Sequence, residues 1–255
     1  MSSPDHRDWD AATYDRISDP MTRWGSDVLA RLDLRGDETV LDAGAGSGRV
    51  TEMLLERVPH GRVVAHDAAP SMIAQARQRL ARFGDQVHFV EGDLLALSPE
   101  QLGDDAPVDA VLSTATFHWV LDHERLFAHL ASVMRPGAAL AAQCGAAGNI
   151  AGLIESVRST GTERAGRWLY ATPEDTRVRL EAAGFEDIEV WTHPEPTTLA
   201  PGEELETYLE TVCLRTHVEG MSADERRAFL HAVAAAMPEP VIDYVRLNIS
   251  ARRRA

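Results

Sequence analysis

Three glycines at alternate positions follow an acid in the run Asp42-Ala-Gly-Ala-Gly-Ser-Gly48. Such spacing lets the chain turn tightly and brings backbone N–H groups against a ligand. A dinucleotide loop of the form G-x-G-x-x-G would need glycine at position 49; here Gly48 comes one position early and Arg49 takes that place. Two more acids follow. Asp67 ends the run Val63-Val64-Ala65-His66-Asp67, where a carboxylate can accept both hydroxyls of a ribose. Asp93, in Glu91-Gly-Asp-Leu94, offers a carboxylate suited to the amino group of adenine. Either acid alone could be a helix N-cap. Asp42, Asp67 and Asp93 at three consecutive strand ends form a nucleoside-binding set. Further along, His118 stands in Ser113-Thr-Ala-Thr-Phe-His-Trp-Val-Leu-Asp-His123. Its imidazole can orient a substrate, take a proton as a general base, or be a satisfied structural histidine.

These residues need a scaffold that brings strand ends together, and the hydrophobic pattern supplies one. Short apolar runs at Val40-Leu41, Val63 to Ala65, Val87 to Val90, Val108 to Ser113 and Ala138 to Gln143 read as strands. Between them lie helical patterns over Val50 to Val58, from Pro70 with Met72, Ile73, Ala76 and Leu80 on one face, and from Glu124 to Met134. Asp122 is placed to cap the last of these, and Pro136-Gly137 turns the chain into strand five. Strands alternating with single helices build a parallel sheet covered on both faces. Such sheets bind ligands beyond the C-terminal ends of their strands, which is where the three acids fall.

Before this core, Trp9 to Leu34 reads as one or two short helices broken at Asp19-Pro20. After Gly148 the alternation weakens. A helix over Pro173 to Ala183 stops at Gly184, a strand runs from Phe185 to Thr192, and Pro194 to Pro201 is a loop. Helices follow at Glu203 to Thr216 and Ala223 to Met237, then an edge strand over Val241 to Arg252. The expected organisation is a single α/β domain. Residues 1–36 form a helical N-terminal cap, 37–145 the cofactor-binding core, and 146–255 a C-terminal half with a helical lid over about 202–237 and a last strand over 241–252.

With 255 residues and a formal net charge of −15, the chain is poorly suited to a broad nucleic-acid face, which needs clustered Lys and Arg. Its one basic run, Arg252-Arg253-Arg254, reads as a solvated tail. No run approaches the roughly 20 apolar residues of a membrane span. The first residues have no apolar core, so a cytoplasmic protein without membrane partners is expected, as monomer or homodimer. Cys144 and Cys213 lack metal-ligand spacing and are expected to be packed thiols, with no metal site.

The set Val40-Leu-Asp-Ala-Gly-Ala-Gly-Ser-Gly-Arg-Val-Thr51, His66-Asp-Ala-Ala-Pro-Ser-Met72, Val90-Glu-Gly-Asp-Leu94 and Arg135-Pro-Gly137 resembles the class I S-adenosylmethionine (SAM)-dependent methyltransferases. The resemblance implies a Rossmann-like, doubly wound, seven-stranded, mostly parallel sheet with SAM as cofactor. It implies that Asp42, Ala43, Gly44 and Gly46 surround the methionyl part, that Asp67 and Ala68 meet the ribose, and that Met72, Gly92, Asp93 and Leu94 meet the adenine. Thr114 and Trp119 would wall the pocket, and Tyr14 would close over the cofactor. Ala69 stands where many relatives carry Ser, which removes a helix-cap hydroxyl.

The segment after strand four lacks the Asn/Asp-Pro-Pro-aromatic run of enzymes that methylate amino groups of nucleic acids. Its Phe-His-Trp-x-x-Asp-His run is similar to the trans-aconitate methyltransferase branch, which esterifies a carboxylate of a small polyacid. On that resemblance the substrate is a small molecule, most simply a carboxylate, met by His118 and by Arg177 and Arg215 as guanidinium partners. O-, N- or C-methylation of a natural product is the alternative. SAM chemistry without methyl transfer, such as cyclisation, is a further one.

Overall fold

Strands buried on both faces read as continuous apolar runs. Val40-Leu41, Val63-Val64-Ala65 and Val111-Leu112 are such runs, fully buried at the centres of β1 (Thr39–Ala43), β2 (Arg62–Asp67) and β4 (Val108–Thr114). The computed structural model of the protein describes residues 19–162 and 166–255. Three further strands precede a small ribbon: β3 (Val87–Glu91), β5 (Met134–Gly145) and β6 (Phe185–Pro194). The ribbon pairs β7 (Thr197–Thr198) with β8 (Val241–Ile242), and β9 (Val245–Arg253) ends the chain's regular structure. Seven strands form one sheet in the order β3-β2-β1-β4-β5-β9-β6, all parallel except β9.

Helices cover both faces, as the alternating pattern requires. α1 (Asp19–Leu29) and α2 (Arg49–Arg57) bury Val28, Leu54 and Leu55 against Val40, Val63 and Leu112. α3 (Pro70–Arg79) adds Ala76 to the same face. On the other face α4 (His123–Val133) buries Leu126, Phe127 and Leu130 against Leu41, Val64 and Val111. Asp122 caps α4 by accepting the Arg125 N–H at 3.0 Å, as expected. A third apolar cluster lies beyond the sheet. It joins Trp24 of α1 to α5 (Ala151–Ser159), and then, past α6 (Pro173–Ala182), to α7 (Glu203–Tyr208), α8 (Arg215–Val218) and α9 (Ala223–Ala236). Among the described residues no helix is long and apolar enough to cross a membrane.

Five expectations are corrected. The last strand is not an edge: β9 lies between β5 and β6, and the edge is β6. Its neighbours bury Leu247, Asn248 and Ile249, whereas β6 exposes Glu186 and Glu189 and carries a register shift between them, features that discourage further strand pairing. Val241-Ile242 belongs to the ribbon, so β9 starts at Val245, and the expected loop at 194–201 contains β7. The helix expected over Glu203 to Thr216 is split by a π-turn at Leu209–Cys213, which divides α7 from α8. The Arg252–Arg254 run is no solvated tail. Arg253 Nη1 donates to the Gly184 carbonyl (2.9 Å) and Arg254 Nη2 to that of Phe185 (3.1 Å), tying β9 to the edge strand. Helix α5 was not expected, because it follows Ile150 in a left-handed conformation (φ 51°) and opens with Ala-Gly rather than a capping side chain.

Candidate active site

The strand order reverses between β1 and β4, so the loops after these strands diverge and leave a crevice at the C-terminal ends. The glycine loop curls over the end of β2: the N–H groups of Gly44 and Ala45 both donate to the His66 carbonyl, at 2.8 and 2.9 Å. Asp67 is clamped from two sides. Its Oδ2 accepts the Gly46 N–H (2.8 Å) and its Oδ1 the Ala69 N–H (2.9 Å). The two backbone N–H groups orient the carboxylate at the crevice. Asp93 caps the short turn Leu94–Ala96 by accepting the Leu95 N–H at 2.9 Å. Gly44 has φ +90°, and Thr116 packs where a Cβ would stand.

Gly44, Gly46, Asp67, Ala68, Gly92, Asp93 and Thr114 are half-buried along this crevice, and Asp42, Ala43, Met72 and Leu94 are buried behind it. The residues expected around a cofactor are thus brought to one place, apart from Tyr14, which lies outside the described residues. Asp42 Oδ2 accepts the Thr51 hydroxyl at 2.7 Å, while its buried Oδ1 has no hydrogen-bond partner. Burial, opposed by the Thr51 bond and reinforced by the Asp67 charge, pushes the Asp42 carboxyl up to about 7. His66 is buried next to Gly92, and burial lowers it to about 4, against the pull of Asp93. The carboxylates of Asp67 and Asp93 along the crevice, with Asp42 behind them, fit a nucleoside-bearing cation.

Beside the crevice lies a cavity of about 50 Å³. Trp24 closes it from α1, Ala115, His118 and Trp119 from the segment after β4, and Asn149, Ile150 and Tyr170 from beyond β5. Val212 and Cys213 enter from the π-turn, and Tyr244 and Arg246 from β9 and the residue before it. Ala115 (φ 55°) and Ile150 (φ 51°) are both in the left-handed region on this wall. For a β-branched residue like Ile150 that is a genuine departure, and such strain concentrates where a site is held in a fixed shape.

Arg246 is 3% exposed. Its guanidinium lies 4.5 Å from the ring centroid of Trp24 and 5.9 Å from that of Tyr244. Its Nε donates to Gln143 Oε1 (3.2 Å), Gln143 Nε2 donates to Asn248 Oδ1 (2.9 Å), and Arg31 Nη2 donates to the same oxygen (2.7 Å). A buried polar chain therefore fixes the arginine from behind. His118 is buried beside it. Burial first, then the Arg246 and His123 charges, lower its imidazole to about 3, so it is neutral near pH 7. The Gly145 N–H donates to His118 Nδ1 (3.4 Å), which leaves the ring proton on Nε2 as a donor. Such a ring can hold an anionic oxygen far better than it can remove a proton.

Two expected substrate residues do not line the cavity. Arg177 is exposed on α6 and its Nη1 donates to the Ile188 carbonyl at 2.6 Å, since α6 lies along the edge strand. Arg215 opens α8, half-buried. Arg246, Gln143, Tyr170 and Trp24 were not singled out from the sequence. In Val245-Arg-Leu-Asn-Ile249 the alternation assigns Arg246 and Asn248 to a solvent face, and only the placement of α1 over that face turns them inward.

The methyltransferase-domain family pattern matches residues 40–137 of the chain. A trans-aconitate 2-methyltransferase of Azoarcus sp. (strain BH72) is 30% identical over 242 residues, covering 90% of this chain and 89% of that protein. Another, from Methylobacterium nodulans, is 29% identical and covers 96% and 98%. The solved structure of Haemonchus contortus phosphoethanolamine N-methyltransferase 2, with S-adenosylhomocysteine bound, shares the fold at a TM-score of 0.62 and 17% identity, covering 96% of this chain and 56% of that one.

Proposed function

The chain belongs to the class I SAM-dependent methyltransferases, and from that premise we propose that it esterifies a carboxylate of a small-molecule acid. The observation that carries this reading is His118, a buried imidazole on the cavity wall that burial holds neutral near pH 7. Such a ring is a donor and a poor base, which suits an acceptor that is already ionised and needs to be held rather than deprotonated. The names of the two relatives, both trans-aconitate 2-methyltransferases, point the same way.

Bound SAM supplies an electrophilic methyl on its sulfonium; a carboxylate oxygen forms the new O–CH3 bond as the C–S bond breaks, and the electron pair stays on sulfur. No proton moves, so no base is required. In this reading Asp67 holds the ribose, Met72 packs on the adenine, Asp93 accepts its amino group, and the loop at Gly44 and Gly46 holds the methionyl part. His118 Nε2–H holds the acceptor carboxylate, and the elements over 203–237 act as the lid. Positioning and desolvation then supply most of the acceleration. A phenol or amine would need a base, and an imidazole held near 3 is a poor one.

The test is turnover of SAM with a panel of acids, including trans-aconitate, and matched phenols and amines. The expected product is a methyl ester that hydroxide hydrolyses. Methylation of phenols or amines with no acid accepted would sink the reading.

A further inference from the structure

Trp24 and Val28 stand four residues apart on α1, so they lie on one face of the helix, and both are buried. Val28 packs on the sheet, while Trp24, one turn earlier, lines the cavity together with His118. The indole is 4% exposed, and its Nε1, which can only donate, has no hydrogen-bond partner among the described residues. The ring is not free to seek one. Arg246 lies over its face, and Tyr244 meets it edge-on at 5.3 Å and 78°. Tyr244 is fixed in turn, its hydroxyl 3.0 Å from that of Tyr208 and 3.4 Å from Cys213 Sγ. The amide oxygen on the same wall is already engaged, since Asn149 Oδ1 accepts the Val245 N–H at 2.9 Å. Leaving an indole N–H buried and unpaired is unfavourable, and buried tryptophans accordingly tend to keep a partner for it.

From these contacts we infer that Trp24 Nε1–H is a second donor to the acceptor, binding one oxygen of its carboxylate while His118 Nε2–H binds the group from the segment after β4. The inference rests on the carboxylate reading above and adds a specificity-determining residue to it. An ionised carboxylate only accepts hydrogen bonds, so two neutral N–H donors match it without any proton moving. An ammonium offers only protons and finds no partner in either group. The pair therefore selects for an acidic acceptor and against a basic one.

The experiment follows methylation by the full chain with SAM and acetate, benzoate or trans-aconitate, alongside phenol and aniline. Two variants remove the indole N–H. One is Trp24→Phe; the other carries benzothienylalanine at position 24, which exchanges only the ring N–H for sulfur and keeps the fused rings. Both should raise KM for the accepted acid about tenfold or more, as expected for loss of one hydrogen bond to a charged group, with kcat and SAM affinity within a few-fold. Nuclear magnetic resonance with S-adenosylhomocysteine bound adds a readout that lost packing would not reproduce. The Trp24 indole proton, assigned by its disappearance in either variant, should shift downfield when the acid is added to the parent. If the benzothienyl protein keeps the parent KM, or the resonance stays in place, the inference is overturned and the carboxylate reading stands. If no acid turns over, whether or not phenol or aniline does, the carboxylate reading falls and the role of Trp24 with it.

Discussion

The guanidinium of Arg246 lies 4.5 Å from the ring centroid of Trp24, so the last strand closes onto the first described helix across the cavity beside the crevice. The stacking holds the planar group flat, and Gln143 fixes its Nε from behind. A cation over an indole face contributes about 0.5–2 kcal/mol. The larger consequence is geometric, because the Trp24 contact and the Gln143 bond together fix where the guanidinium lies.

If the cavity takes an acid acceptor beside Arg246, Arg246→Gln should raise KM for that acid by two orders of magnitude, with the SAM dissociation constant within a few-fold of the parent. Arg246→Lys should recover little of the loss, since an ammonium can neither stack as a plane nor bind bidentately. Steady-state kinetics with calorimetry of SAM binding separates the two effects. A normal KM in Arg246→Gln would remove this arginine from the acceptor site.

His118 should act as a donor rather than a base. His118→Gln keeps an N–H near the Nε2 position and should retain more activity than His118→Ala, which should lose tenfold or more in kcat/KM. Neither variant should abolish an acidic limb between pH 5 and 8, because the parent imidazole is already neutral there. A limb near pH 6–7 present in the parent and lost in His118→Ala would instead identify it as a general base.

The crevice at the strand ends was largely legible in the sequence because its determinants are local. Gly44, Asp67 and Asp93 each sit at the end of a strand whose apolar run announces it, and the parallel order then gathers the ends. The cavity beside it was legible only in part. His118 and Trp119 follow β4 directly, whereas Arg246 looks like a surface residue until α1 covers its face of β9. The π-turn at Leu209–Cys213 was equally hidden, since a register change within a helix leaves no mark in hydrophobic periodicity. The edge position expected for the last strand failed for a related reason. Alternation tells which residues face a core and not which strand lies between two others.

Two glycines in the loop should respond differently to alanine. At Gly44 the backbone is left-handed and a Cβ would overlap the Thr116 side chain, including its Cβ. Gly44→Ala should thus cost about 2 kcal/mol or more, and Thr116→Ala should fail to rescue it. At Gly46 a Cβ meets nothing within 4 Å, so only the left-handed strain of about 1–2 kcal/mol remains. If the loop holds the methionyl part of SAM, Gly46→Ala should lower the melting temperature by a few degrees and weaken SAM binding tenfold. An unchanged SAM affinity would place the cofactor elsewhere.

The buried titrating groups make opposed contributions to stability, and Asp42→Asn should expose the opposition. Asp42 rises from 3.8 to about 7 on folding, so between those values the folded protein keeps a proton that the unfolded chain has released. Its contribution is complete below 3.8 and is lost as pH rises through 7. His66 and His118 fall from 6.5 to about 4 and about 3. Their contributions are complete above 6.5 and are lost as pH falls below it. At pH 5 unfolding therefore takes up two protons at the histidines and releases one at Asp42. Removing the aspartate leaves two, so stability should fall with acidification more steeply than in the parent, by about 1.4 kcal/mol per pH unit. Above pH 7 the variant should be the more stable protein, because it has lost a buried charge whose Oδ1 has no hydrogen-bond partner and kept an oxygen that can accept the Thr51 hydroxyl. Urea unfolding of both proteins at pH 5, 6 and 8 measures the difference, and parallel pH profiles would show that Asp42 is ionised in the folded state throughout.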